Sequence, residues 1–413
     1  MALRIGWIFP TLLLAATVCG PSPSAAGDTS RARLFLLDAG RLAKTRDRVA
    51  AGDAALAPAV AQLRKEAERA LEAGPFSVMD KKAVPPSGDK HDYLSVGPYW
   101  WPDPDKPDGK PYIRRDGEVN PERHQYDNVA LSRMGEAVDT LALAYYLTGH
   151  EPYSKHAAGL LRTWFLDPDT RMNPHLEYGQ AIPGRCDGRG IGIIDTTRLA
   201  RLVDAVGMLG SSAAWTPGDQ KGLQLWFRDY LKWLIESDHG RAESRTRNNH
   251  ATWYDVQVVS FALFVGDEQT AGRVLREAGA RRIATQIEPD GRQPLELART
   301  KSFDYSTMNL RGMFDLATLG RQVGVDLWGF RTDDGRSIRR ALDWLVAHTL
   351  GGQPWSHRQI TRLRPQALRP LLRRAAIAYD EPRYEELYRE LLDGDFRAGR
   401  IDLIYPAVRA GTD

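Results

Sequence analysis

The feature that most constrains this chain is a helical phrase that stops at glycine and then returns. In VALSRMGEAVDTLALAYYLTG (129–149) apolar residues recur at intervals of three and four as far as Gly149. A second amphipathic run, EPYSKHAAGLLRTWFL, follows at once. Glycine accepts the left-handed backbone that closes a helix, and so short a loop makes the two helices antiparallel neighbours. The phrase recurs in ATWYDVQVVSFALFVG (251–266), which stops at Gly266 and is followed by DEQTAGRVLREAGARRIATQI. The two glycines lie 117 positions apart (266 − 149). LRPLLRRAAIAYDEPRYEELYRELL is a weaker third version, and PGDQKGLQLWFRDYLKWLIES reads as another helix with Pro217 near its start. Helical hairpins of about 20 residues per helix predict an all-α array or toroid, with an irregular helical bundle as the other arrangement the pattern allows. Few stretches alternate as strands do, and a C-terminal β-domain has no support.

Two long stretches break the rhythm. One is DYLSVGPYWWPDPDKPDGKPYIRRDGEVNPERHQYD (92–127); the other is DPDTRMNPHLEYGQAIPGRCDGRGIGIID (167–195). Long ordered loops in compact proteins are more often functional than not. The N-terminus differs from the rest. MALRIGWIFPTLLLAATVCGPSPSAAG has Arg4, a short apolar run, and small residues at Ser24, Ala25 and Ala26. It reads as a signal peptide over 1–26 that leaves one domain over 27–413 and a periplasmic or secreted protein. Val18 before Cys19 fits a lipoprotein anchor poorly. Loss of Cys19 leaves Cys186 alone, so no internal disulfide holds the fold. No CxxC or HExxH spacing occurs, and neither a metal nor another cofactor is expected. A net charge of +3 is too mild for a nucleic-acid partner and suits an anionic substrate met at a local basic site. No membrane span is expected beyond the leader.

The stretch RTRNNHATWYD (245–255) raises the functional question. One asparagine at a helix start is an ordinary N-cap. Asn248, Asn249 and His250 together, behind Arg245 and Arg247, exceed what a cap needs. Amide and imidazole donors at the positive end of a helix can hold a carboxylate. In LELARTKSFDYSTMNLRGM (295–313), Arg299 precedes Tyr305 by six positions, and helical spacing from Ser306 puts Tyr305 at or just before a helix start. A cation nearby lowers a phenol's pKa and lets it exchange protons, whereas a buried tyrosine with a satisfied hydroxyl is the common structural alternative. Trp100 and Trp101 in GPYWWPDPD can stack on sugar rings or pin the loop to the core, the latter expected of one of the two. Tyr178, Gln180 and Arg189 sit among glycines whose spacing is not that of a nucleotide loop and which let an arginine approach an acidic sugar closely. Tyr254 joins the candidate substrate contacts. RLRPQALRPLLRR (362–374) reads as a solvated face or a helix seam.

NNHATWYD, YLSVGPYWWPD and the Arg299–Tyr305 segment resemble the alginate lyase superfamily of polysaccharide lyases, over roughly residues 90–320. The GPYWWPD and GQAIPG loops resemble its glucuronan lyase branch. The resemblance implies an (α/α) toroid, an incomplete barrel of hairpins with long loops over a cleft. It also implies export and cleavage of a uronic-acid polymer, alginate or glucuronan, by β-elimination. Asn249 and Arg299 would then hold the uronate carboxylate. His250 would join them or take the C5 proton, and Tyr305 would protonate the leaving oxygen or act as base and then acid. A glycoside hydrolase on the same toroid is the rival enzyme. It needs two facing carboxylates, and Asp195, Asp255 and Glu296 are available with no pair marked out. A non-catalytic glycan-binding protein is the third reading.

Overall fold

Gly149 and Gly266 both adopt the left-handed backbone, with φ of 69° and 85°, and each closes a long helix. The computed structural model describes Ala2, residues 32–392 and residues 399–407. Apart from Ala2, the leader and Cys19 lie outside the described residues.

Helices α1 (Ala39–Ala50) and α2 (Ala57–Leu71) precede the first long loop. The first hairpin is α3 (Asp127–Thr148) with α4 (Glu151–Leu161). After the second long loop come α5 (Leu199–Leu209) and α6 (Pro217–Glu236). The short α7 (Asp238–Ser244) leads into the second hairpin, α8 (Asn249–Val265) with α9 (Glu268–Ala278). Two helical turns, α10 (Ala284–Gln286) and α11 (Pro294–Leu297), bridge to α12 (Ser302–Gly320). The described chain ends with α13 (Ile338–Ala347), α14 (Arg369–Tyr379), α15 (Pro382–Glu390) and α16 (Arg400–Ile404).

Composition sorts these helices into two layers of an α/α toroid. Helix α8 is buried on nearly every face, as its uniformly apolar sequence demands. Helices α3, α5 and α12 are also largely buried, and the four pack in sequence, α3 on α5, α5 on α8, α8 on α12. Around them α4, α6 and α9 each press one face inward. Phe227 of α6 sits 4.8 Å from Phe261 and 5.3 Å from Phe264 of α8, ring centre to ring centre. Truncating a phenylalanine in such a seam costs roughly 3–5 kcal/mol. Pro217 is the first residue of α6, behind a Thr216 cap whose hydroxyl receives the Asp219 N–H.

The arginine-rich segment is solvated at its start, where Arg362 and Arg364 are exposed, and a helix seam along α14. Arg369, Arg373 and Arg374 are buried. Arg373 pairs with Glu385 of α15 at 3.1 Å, and Arg374 with Asp315 of α12 at 2.6 Å. Burial of a charge is tolerable only with such partners.

What little sheet exists belongs to the long loops. β1 (Leu94–Val96) pairs in parallel with β4 (Tyr178–Ala181), which ties the first loop to the second. β2 (Trp100–Trp101) pairs antiparallel with β3 (Ile113–Arg114) inside the first loop. Among the described residues, no helix is long and apolar enough to cross a membrane.

Candidate active site

The two long loops and the first turns of α8 and α12 enclose a cleft of about 880 Å³. Six cationic side chains line it, Arg114, Arg189, Arg245, Arg247, Arg299 and Lys301, against one carboxylate, Asp304. Such a surplus in a walled space attracts a polyanion.

At the start of α8 the neighbouring asparagines do different jobs. Asn248 is the N-cap, its side-chain oxygen taking the His250 N–H at 3.3 Å. Asn249 is 1% exposed, yet it borders the cleft. Its backbone N–H and its side-chain amide both donate to the Glu296 carboxylate, at 2.6 and 2.7 Å. Among the described residues, its amide oxygen is buried without a hydrogen-bond partner. Burial lifts Glu296 above the ordinary carboxylate range, against the pull of the Asn249 hydrogen bonds and the Arg299 and His250 charges. His250 Nδ1 lies 2.7 Å from Glu243 Oε1, and Glu243 is 1% exposed on its side chain. A carboxylate at Nδ1 fixes the proton on that nitrogen and leaves Nε2 for other work.

The start of α12 is built differently. The helix begins at Ser302, which places Tyr305 in its first turn. The Arg299 guanidinium lies 3.8 Å from the Tyr305 ring centre, and its Nη2 donates to the Tyr305 hydroxyl at 2.8 Å. The same guanidinium donates to Asp116 from the first loop, at 2.7 Å and 3.2 Å. The Tyr305 hydroxyl donates in turn to the Tyr99 hydroxyl at 2.8 Å. Burial would raise Asp116, but hydrogen bonds from Arg299 and Thr300 and the Arg299 charge hold it well below the usual range. The expected acidification of Tyr305 does not occur. Burial, reinforced by Tyr99, lifts the phenol well above its ordinary value and outweighs Arg299. Tyr305 is therefore a neutral phenol at working pH. Arg299 is engaged with Asp116 and the phenol, so it is less free to clamp a carboxylate than the sequence suggested.

The second loop supplies one wall. Gln180, buried and at φ 49°, donates to Asp195 at 2.9 Å and accepts two hydrogen bonds from Arg189, at 2.9 Å on its carbonyl and 3.0 Å on its side chain. Burial lowers the pKa of Arg189. Arg185 and Arg189 flank the Trp100 ring at 5.3 and 5.9 Å. A Cβ on Gly97 would come 2.5 Å from that ring, so glycine is needed there. The glycines of GRGIG serve packing: a Cβ on Gly188 would lie 1.7 Å from the Glu177 carbonyl.

Of the residues singled out from sequence, Asn248, Asn249, His250, Arg299, Tyr305, Gln180, Arg189 and Trp100 converge on the cleft. Three do not line it. Trp101 donates its indole N–H to the Glu118 carbonyl at 3.0 Å and pins the loop. Tyr254 is buried, with its hydroxyl on the Leu234 carbonyl at 2.8 Å. Tyr178 belongs to the β1–β4 pairing. Sequence reasoning missed Tyr99, Asp116 and Glu243, and saw Glu296 only as half of a hydrolase pair. Glu243, seven residues before His250, was the one within local reach. No pair of carboxylates faces across the cleft: among the described residues Asp195 and Asp255 lie outside its lining, the latter paired with Arg282 at 2.7 Å. Among the described residues, no cluster of His, Cys, Asp or Glu could hold a metal ion.

A helical toroid with a phenol, an imidazole and an amide gathered in a cationic cleft is the architecture of a polysaccharide lyase. The family model described as Alginate lyase matches residues 77–355, more than half of the chain. The chain belongs to the alginate lyase family. An alginate lyase from Bacteroides ovatus, known from a crystal structure, is 41% identical, with a TM-score of 0.87 over 92% of this chain and 100% of that one. Alginate lyase A1-III from Sphingomonas species A1 is 15% identical, with a TM-score of 0.58 over 93% of this chain and 100% of that one. A histidine variant of alginate lyase A1-III, complexed with a tetrasaccharide, is 14% identical with a TM-score of 0.61 over 92% and 98%. These last two are likenesses of fold. No curated protein matches the chain.

Proposed function

We propose that this lyase cleaves a uronic-acid polymer, alginate first and glucuronan as the other candidate, by β-elimination that leaves unsaturated ends. The observation that carries the reading is the Tyr305 hydroxyl, hydrogen-bonded to Arg299 and Tyr99 in a cleft lined by six cations and one carboxylate. The similarity to the Bacteroides ovatus alginate lyase supports alginate.

The C5 proton of a uronate is poorly acidic because its carboxylate is already negative. Donors placed where charge accumulates lower that barrier, by about 3 kcal/mol each in a water-poor site. The second amide hydrogen of Asn249 is the donor nearest the helix start, and the free nitrogen of neutral His250 beside it is an acceptor, placed to take a proton. Tyr305 protonates the departing glycosidic oxygen. Where the sugar presents its C5 proton on the same face as that oxygen, as in mannuronate and glucuronate, Tyr305 first releases its own proton to solvent, then as phenolate takes the C5 proton and passes it to the departing oxygen. Where the two lie on opposite faces, as in guluronate, His250 takes the proton, with Glu243 stabilising the imidazolium that forms. Arg299 steadies the phenol and favours its transient phenolate.

The test is incubation with polymannuronate, polyguluronate and glucuronan, reading ultraviolet absorbance from unsaturated ends. Chain shortening without that absorbance would make the enzyme a hydrolase, and binding without shortening would make it a glycan-binding protein. Export is part of the proposal: Arg4, the apolar run and Ser24–Ala26 support a leader removed at Ala26. N-terminal sequencing of protein recovered outside the cytoplasm should start at Gly27.

A further inference from the structure

Asp315 lies ten residues beyond Tyr305 on α12 (315 − 305), about 15 Å along the helix axis. Beside it is a second cavity of about 300 Å³, bordered by α3, α5, α12, α14 and α16. It shares no lining residue with the cleft. Four arginines line it, Arg198, Arg201, Arg374 and Arg400, with Asp139, Asp204 and Asp315.

The carboxylates are largely occupied. Asp139 receives Arg400 at 2.6 Å, and Asp315 Oδ1 receives Arg374 at 2.6 Å. Asp204 accepts the backbone N–H groups of Phe35, Leu36 and Leu37 at 2.7, 2.9 and 2.7 Å. Burial pushes its carboxyl up to about 7, against the pull of those three N–H groups. Arg201 reaches Asp315 only at 3.8 Å and keeps 52% of its side chain accessible. Arg198 has no carboxylate in ion-pair range among the described residues. Four arginines border three carboxylates, and with Arg374 and Arg400 paired to Asp315 and Asp139, Arg198 and Arg201 are the cations left without a close carboxylate among the described residues.

We propose that this cavity is a second, non-catalytic site that binds one small oxyanion, of the size of phosphate or a single free uronate, between Arg198 and Arg201. Two guanidinium forks suit the oxygens of a phosphate or carboxylate. The volume, at the lower end for small-molecule sites, admits one such ion and excludes a polymer. Only the uronate source rests on the lyase reading; phosphate does not.

The test is thermal unfolding of the full chain titrated with inorganic phosphate and, separately, with glucuronate, each against chloride at equal ionic strength. A ligand of the folded state raises the midpoint in a saturable way. The wild type should show that rise with at least one of the two anions. R198Q and R201Q should weaken the apparent affinity at least tenfold and leave polymer cleavage unchanged. A rise with phosphate alone assigns an inorganic ion, and a rise with glucuronate alone assigns a product-like sugar acid. Absence of a saturable rise with either anion would overturn the site, as would an equal rise in the R198Q/R201Q double variant. Should the glutamine variants fail to fold, R198K/R201K keeps the charges and removes the forks, and an unchanged affinity there would overturn it equally.

Discussion

The starts of α8 and α12 face one cleft, yet they are held by different means. At α8 the reactive residues are consecutive, and their supports are two buried glutamates: Glu243, seven positions before His250, and Glu296, which accepts the backbone N–H and one amide hydrogen of Asn249. At α12 the phenol depends on residues far away in the chain. Asp116 lies 183 positions from Arg299, and Tyr99 lies 206 from Tyr305. The first cluster is held by buried residues of the helical core. The second is completed by Tyr99 and Asp116 of the first long loop, so loop and chemistry are coupled there.

The sharpest break in this contrast is Tyr305→Phe. Turnover should fall about 10³-fold, the middle of the range for a lost proton donor, while oligosaccharide affinity changes little; unchanged turnover would remove Tyr305 from the mechanism. Next is Asn249→Ala, expected to cost about 10²-fold in kcat through loss of one preorganised donor, with the loop's behaviour unaltered. Asp116→Ala should cost roughly ten- to a hundredfold by letting Arg299 and the phenol drift. Added to Tyr305→Phe it should cost nothing more, because the two act as one unit; an additive loss would mean that Asp116 does not work through the phenol. Trp100→Ala should raise KM several-fold with kcat kept, whereas Trp101→Ala should lower the unfolding midpoint more than it alters KM.

The smallest effect concerns Glu296. Its folded pKa is raised by burial, so its stabilising contribution is complete below the unfolded value of about 4.3 and is lost as pH rises through the folded value. Glu296→Gln should therefore flatten the decline in unfolding midpoint above that pH. A wild type and variant that decline in parallel would show that Glu296 does not set the slope.

Much of the α8 cluster was legible because its signal is local. Asn248, Asn249 and His250 carry more polar groups than a cap requires, and the helix behind them is unmistakable. At α12, Arg299 and Tyr305 were legible as a pair, but the direction of the pKa shift was not. Proximity to a cation is readable from spacing, whereas desolvation depends on what closes over the phenol. Trp100 and Trp101 make the same point: adjacent in a strand, they face opposite sides, and pairing of β2 with β3 decides which one reaches the cleft. Tyr254 read as a contact because it follows the motif; its place inside an all-round apolar helix put it in the core.

The sequence by itself determined the hairpins, their glycine stops, the helical class and the identity of the groups at two helix starts, since periodicity and capping act over a few residues. Tertiary structure alone decided that a loop carboxylate claims Arg299, that Tyr305 stays protonated, and that arginines from three helices crowd around Asp315. Those outcomes rest on burial and on charges brought together from distant parts of the chain, and neither quantity exists until the toroid has closed.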